Sequence, residues 1–139
     1  MLGLDAASPR ESVEIRCRVA FVGEEKELYD SMPVAEMIRF TAGCFPRWRK
    51  DLEQRYLAKL ELPAQRKIKS LSRGMRTKLA LLLALCRGAE LLILDEPTSG
   101  LDPAAAEEVL QLLVGEERTV FFSSHQIAAL ECGGNASAF

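Results

Sequence analysis

Residues 91–94, Leu-Leu-Ile-Leu, form a continuous apolar run with Gly88 a few residues before it and Asp95 and Glu96 directly after it. Four apolar residues without interruption fit a strand covered on both faces, as strands of parallel sheets are. The next stretch tells how a neighbouring strand is reached. Asp102-Pro103 joins a helix-capping side chain to a proline whose fixed φ suits a first helical turn, and Glu107 and Glu108 fall in the early turns. A helix is expected over 103–113 and a strand over 119–123, "TVFFS". Strand, helix and strand make one βαβ unit, so the chain is α/β with a parallel sheet and a right-handed crossover. Two adjacent carboxylates ending a buried strand are costly unless a cation or its ligand needs them.

The remaining elements frame this unit. "RCRVAFV" (16–22) is rich in β-formers and predicts a short strand ending at Gly23, followed by the polar loop "GEEKELYDSM". Pro33 suits a first helical position, with Val34, Met37, Ile38 and Phe40 as an apolar stripe behind it, and "AGCFPRW" (42–48) should end that helix. A second amphipathic helix is expected over 48–60, with Leu52, Tyr56 and Leu60 at steps of four. After the connector "ELPAQRKIKS", a helix beginning near Gly74 carries Leu79 to Leu85 and reads as buried nearly all round. Residues 1–15 read as irregular, and the closing "ECGGNASAF" as a frayed end without periodicity.

Composition excludes several classes. A chain of 139 residues is about one domain, of a size that buries roughly 70% of its unfolded surface. A net charge of -2 gives no global nucleic-acid footprint, and the cluster Arg66, Lys67, Lys69, Arg73, Arg76 and Lys78 reads first as a solvated helix face. Cys17, Cys44, Cys86 and Cys132 lie far apart with no C-x-x-C pair, which favours reduced thiols over a disulfide framework or zinc knuckle. The first twelve residues lack the basic and apolar regions of a secretory signal, and the run Leu79 to Cys86 is far short of the ~20 residues of a membrane span. A soluble protein is expected.

Four short motifs follow one another, each with a plain structural reading. "LSRGM" (71–75) could be a helix start capped by Ser72, "LLILDEP" (91–97) a strand and surface turn, and "SGLD" (99–102) a turn into a helix. His125 in "SSHQ", the single histidine, could be a satisfied structural residue. As an ordered set they resemble the nucleotide-binding domain of ABC-type ATPases over about residues 14–130. "LSRGM" is similar to the signature motif, usually Leu-Ser-Gly-Gly-Gln, "LLILDEP" to Walker B, "SGLD" to the D-loop, and "SSHQ" to the switch-histidine segment. "VAFVGEEKELYDSMPVAEMIRF" is similar to the Q-loop stretch, with Glu24 where Gln is common. Arg73 and Met75 depart from the usual Gly and Gln of the signature, and Pro33 stands where a Thr cap is frequent.

The resemblance implies a P-loop NTPase-like fold: a parallel sheet with a helical subdomain at about 33–75, and core α/β portions at 14–24 and 86–130. It implies ATP and Mg²⁺ as cofactors. Asp95 would hold Mg²⁺ through water, since this ion dehydrates reluctantly. Glu96 would orient and deprotonate the attacking water, and His125 would donate a hydrogen bond to the γ-phosphate. Glu24 would contact the metal or water, while Ser72 and Gly74, at a helix N-terminus, would bind the γ-phosphate held by an opposite subunit. Asp102 would cross near the same interface. The implied partners are a second ABC ATPase subunit, identical or not, and a membrane-spanning transporter subunit, with no nucleic acid. The wording "ELYDSMPVAEMIRF" and "CFPRW" is similar to bacterial ABC-2-type exporter subunits, which implies export and a place on the cytoplasmic face of the membrane. A soluble ABC ATPase acting on DNA or ribosomes is the less favoured reading.

The phosphate cradle of such a site is G-x-x-x-x-G-K-[ST]. No two of the nine glycines stand five positions apart, so that motif does not occur in these 139 residues. The expectation is an N-terminally truncated domain that does not bind ATP tightly alone. It would be either a relic without catalysis or a half-site lending its signature motif to an intact partner.

Overall fold

The computed structural model describes residues 10, 18–23, 28–98, 100–114, 118–123 and 136–138. Four parallel strands form one sheet in the order β1 (Val19–Val22), β2 (Leu91–Asp95), β3 (Thr119–Ser123) and β4 (Ala136–Ala138). The expected βαβ unit is present, with α4 (Pro103–Val114) joining β2 to β3. Among the described residues between β1 and β2 lie α1 (Val34–Cys44), α2 (Lys50–Lys59) and α3 (Arg73–Cys86), with a 3-10 turn at Ile68–Ser70.

Alternation decides what each strand buries. Ala20, Val22, Leu92, Leu94 and Val120 share one face and one core cluster with Leu79, Leu81, Leu82 and Leu85 of α3 and with Val109, Leu112 and Leu113 of α4. Each fully buried Leu contributes about 1.5–3 kcal/mol relative to exposure. The opposite face carries Val19, Leu91 and Ile93, all half-buried, and Phe21, which is 62% exposed. Strand 91–94 is therefore fully covered on one face only, in contrast to the two-sided burial its apolar run predicts.

Helix α1 begins one residue later than its proline suggests, because Pro33 is extended and acts as the N-cap residue. The helix also runs through Ala42, Gly43 and Cys44 before Phe45 ends it. Gly43 faces open space, and an exposed helical Gly costs only about 1 kcal/mol against Ala. Val34, Met37 and Ile38 are buried as expected, but Phe40 is 51% exposed and meets the Tyr29 ring edge-on at 5.8 Å. In α2, Leu52 and Tyr56 are buried, as is Leu60 at its end. The buried Glu53 carboxylate accepts from Trp48 Nε1 at 2.6 Å and pairs with Lys50 Nζ at 2.7 Å, closing the first turn of α2. Arg49 N donates to Cys86 O at 2.7 Å, tying that turn to the end of α3.

The segment 136–138 is strand, not a frayed end, and pairs with β3 through Val120 to Phe122. Cys44 and Cys86 are free thiols, exposed and buried respectively. The basic cluster divides: Arg66, Lys67, Lys69 and Arg73 are exposed, Arg76 pairs with Asp30 at 2.8 Å, and Lys78 pairs with Glu108 at 3.4 Å. Among the described residues no helix is long and apolar enough to cross a membrane.

Candidate functional site

The C-terminal edge of the sheet gathers the acids. In-register pairing aligns Val22 with Leu94 and Asp95 with Ser123, so β1, β2 and β3 reach one edge together. Ligands of open parallel sheets bind at this edge. Asp95 is the last residue of β2 and Glu96 leaves the strand, both half-buried. Glu96 has φ 49, a left-handed backbone that costs a non-glycine residue about 1–2 kcal/mol. Pro97 behind it is fully buried and anchors the turn. This departure from extended geometry ends the strand's alternation and places Glu96 in a course different from that of Asp95. Glu24 and His125 lie outside the described residues; of the nearby strand residues, Val22 pairs with Leu94 and Ser123 with Asp95.

The second group lies at the start of α3. Ser72 is the N-cap, its Oγ accepting from Met75 N at 3.2 Å. That bond uses a lone pair and leaves the hydroxyl proton available to an anion. Gly74 approaches the loop before α4 closely: a Cβ there would stand 3.1 Å from Leu101 Cδ2 and 3.8 Å from Gly100 O. Gly100 in turn has φ 78, and a Cβ on it would fall 2.9 Å from both Cδ and Nε of Arg73. The "LSRGM" and "SGLD" motifs are thus packed on one another, with the Arg73 side chain lying over Gly100. Asp102 is exposed and caps α4, its Oδ1 accepting from Ala105 N at 2.8 Å.

Asp95 suits Mg²⁺ by the chemistry of its donor atoms. A hard carboxylate at a strand end supplements phosphate and water oxygens around this ion, which seldom takes an all-protein cage. Among the described residues, no group of three or more His, Cys, Asp and Glu could hold a metal.

Sequence reading did not disclose a groove of about 300 Å³ where the end of β1 meets α1 and α3, lined by Val22, Gly23, Met37, Thr41, Leu83 and Arg87 among others. Its residues come from three separate elements, so no local pattern signals it. The contact of Arg73 with Gly100 was equally hidden, although the glycine itself signalled a turn.

An open parallel sheet with carboxylates at its C-terminal edge and a capped helix packed on the following loop is an α/β architecture of the P-loop NTPase type. The comparisons agree. The family described as "AAA domain, putative AbiEii toxin, Type IV TA system" matches residues 52–131, and the chain belongs to this AAA-domain family. Its curated relatives are named ABC transporter ATP-binding proteins. The chain is 32% identical over 131 residues to NatA of Bacillus subtilis, with 88% of this chain and 53% of that protein covered. It is 33% identical over 125 residues to the Nod factor export ATP-binding protein I of Cupriavidus pinatubonensis, covering 84% of this chain and 38% of the relative. Among solved structures, an ATP-binding subunit of an ABC transporter superposes with a TM-score of 0.74 at 25% identity, over 86% of this chain and 53% of the other. The ATP-binding cassette MJ0796, a dimer bound to ADP and Pi, superposes with a TM-score of 0.76 at 23% identity, over 96% of this chain and 64% of that one. The chain spans about half, or less, of the length of the curated relatives it matches.

Proposed function

We propose that this chain supplies the metal-holding and water-activating part of an ATP-hydrolysing site in an ABC transporter that works in export. The observation that carries this is the pair at the end of β2, where Asp95 closes the strand and Glu96 is held at φ 49. Strained backbone of this kind persists where surrounding structure over-determines it, and it gathers at functional sites. Phosphoryl transfer needs positioned charge more than covalent chemistry from the protein. Asp95 would hold Mg²⁺, and Glu96 would take the proton of the attacking water.

Ser72, Gly74 and Asp102 belong to a surface facing a second ATPase subunit, a reading supported by the dimeric form of one structural neighbour. The groove at β1, α1 and α3 is the surface assigned in this proposal to a membrane-spanning subunit. The place that follows is the cytoplasmic side of that subunit. Glu24 and His125 are assigned to the site in this proposal from the sequence resemblance alone, two residues after Val22 and Ser123 in the chain.

The test is Mg-ATP titration by calorimetry, followed by hydrolysis assays in a preparation that also contains a phosphate cradle. The chain alone should show no micromolar binding, and a micromolar Kd would overturn this division of the site. In the complete preparation, Glu96→Gln should lower turnover by about 10²–10⁴-fold, the usual worth of a general base. Unchanged turnover in that variant would remove Glu96 from the chemistry.

A further inference from the structure

The edge of the sheet opposite Asp95 gathers positive charge. Arg18 precedes β1 and Glu90 precedes β2, so both stand at the N-terminal ends of the paired strands. The segment 45–50, Phe-Pro-Arg-Trp-Arg-Lys, meets them there. Arg47 Nη1 lies 3.7 Å and Arg18 Nε 3.4 Å from the same Glu90 Oε1. Arg49 pairs with Asp51 at 2.8 Å, Lys50 pairs with Glu53 at 2.7 Å, and the Arg87 guanidinium lies 4.0 Å from the Phe45 ring centre. Among the described residues, the five cations of this region thus face three acids, in a chain whose net charge is -2.

Stability does not account for the arrangement. The side chains of Arg18, Arg47 and Arg49 are 46–54% exposed, and ion pairs so exposed contribute little. The backbone beneath them is pinned. Arg49 N donates to Cys86 O at 2.7 Å, and a Cβ on Gly88 would stand 2.4 Å from Arg47 O. Trp48 Nε1 donates to the buried Glu53, which holds the segment from below. Exposed cationic side chains therefore stand on a fixed base, with Pro46 exposed among them.

A negatively charged lipid surface fits this platform. Headgroups attract Lys and Arg one by one and ask for no fixed ligand geometry, which suits charges drawn from separate segments. Phe45 and Trp48, half-buried between the cations, add the aromatic character that a membrane–water interface favours. Arg87 also lines the groove assigned above to a membrane-spanning subunit, so the basic edge is continuous with that surface. The 5 residues of β2 keep it about 15 Å from the acid-bearing edge, which lipid contact leaves open.

We propose that Arg18, Arg47, Arg49 and Lys50 form a contact surface for anionic lipid headgroups, beside the membrane-spanning subunit. Its place beside that subunit rests on the transporter reading.

The test mixes the whole chain with vesicles of phosphatidylglycerol and phosphatidylcholine in equal parts, or of phosphatidylcholine alone, and follows binding by sedimentation. Trp48, the single tryptophan, reports contact through quenching by brominated acyl chains. Binding and quenching are expected with the anionic vesicles only. Arg47→Gln with Arg49→Gln should weaken binding at least about ten-fold, and raised salt should weaken it too. Arg47→Lys with Arg49→Lys keeps the charge and should keep the binding. Arg66→Gln with Lys67→Gln removes as much charge from the exposed connector and should change affinity far less. Equal binding to phosphatidylcholine, loss of binding in the lysine variant, or an equal loss in the Arg66 and Lys67 variant would overturn the proposal. So would a Trp48 response to polyglutamate as strong as to anionic vesicles, which makes an acidic protein segment the partner. Absence of vesicle binding overturns the lipid surface and leaves the ATP-site reading standing. Vesicle binding, combined with full turnover of Glu96→Gln in the complete preparation, upholds the surface and overturns that reading.

Discussion

Glu96 is a carboxylate on a left-handed backbone, and stability and chemistry pull in opposite directions there. Glu96→Gly should raise stability by about 1 kcal/mol in urea unfolding, by removing the Cβ conflict, while abolishing any hydrolysis the residue supports. Asp102 and Ser72 have capping work whatever else they do, so Asp102→Ala and Ser72→Ala should each cost about 1 kcal/mol in the same measurement. Cys86 gives a pH signature. Burial, reinforced by the Glu53 charge, pushes its thiol up from 9.0 to about 12. The folded state therefore keeps a proton that the unfolded state releases above pH 9, and this contribution to stability is full below pH 9 and lost as pH rises towards 12. Thiol titration at pH 8 should modify Cys44 and spare Cys86 until the chain unfolds. Asp51 shifts the other way: hydrogen bonds from the Arg49 guanidinium hold its carboxyl at about 2.

Helices α2 and α3 are joined by a junction that tolerates little change. Gly88 has φ 75, and a Cβ there would stand 2.4 Å from Arg47 O. Gly88→Ala should destabilise by about 2–4 kcal/mol in urea unfolding, since backbone strain and a backbone clash add. Elements with a strong period and a defined cap were legible in the sequence: β2, α3, α4 and β3 all stand close to where apolar runs, Ser72 and Asp102 put them. β4 was not, because Ala-Ser-Ala has no β-branched or aromatic residue and its strand character comes from pairing with β3. The last turn of α1 was hidden by Gly43, a breaker only where its backbone freedom is used. For the proposed site, the motif resemblance singled out Asp95, Glu96, Ser72, Gly74 and Asp102. The turn geometry of Glu96 and the grip of Arg73 on Gly100 depend on contacts between segments far apart in sequence.

On the scale of the whole molecule, the one-sided sheet was illegible for a plain reason. An apolar run such as Leu-Leu-Ile-Leu looks the same whether its second face is covered by its own chain or by another segment. Phe21, exposed on the second face, is a route to self-association, so the chain alone should show concentration-dependent light scattering that Phe21→Asp reduces. An unchanged scattering profile would show that the face is already shielded. The close fit of Gly74 against Leu101 carries a mechanical meaning as well. With 3.1 Å between a would-be methyl and Leu101, there is no slack between the first turn of α3 and the loop that launches α4. Bulk added at Gly74 would therefore press on Leu101, the residue beside the Asp102 cap that launches α4.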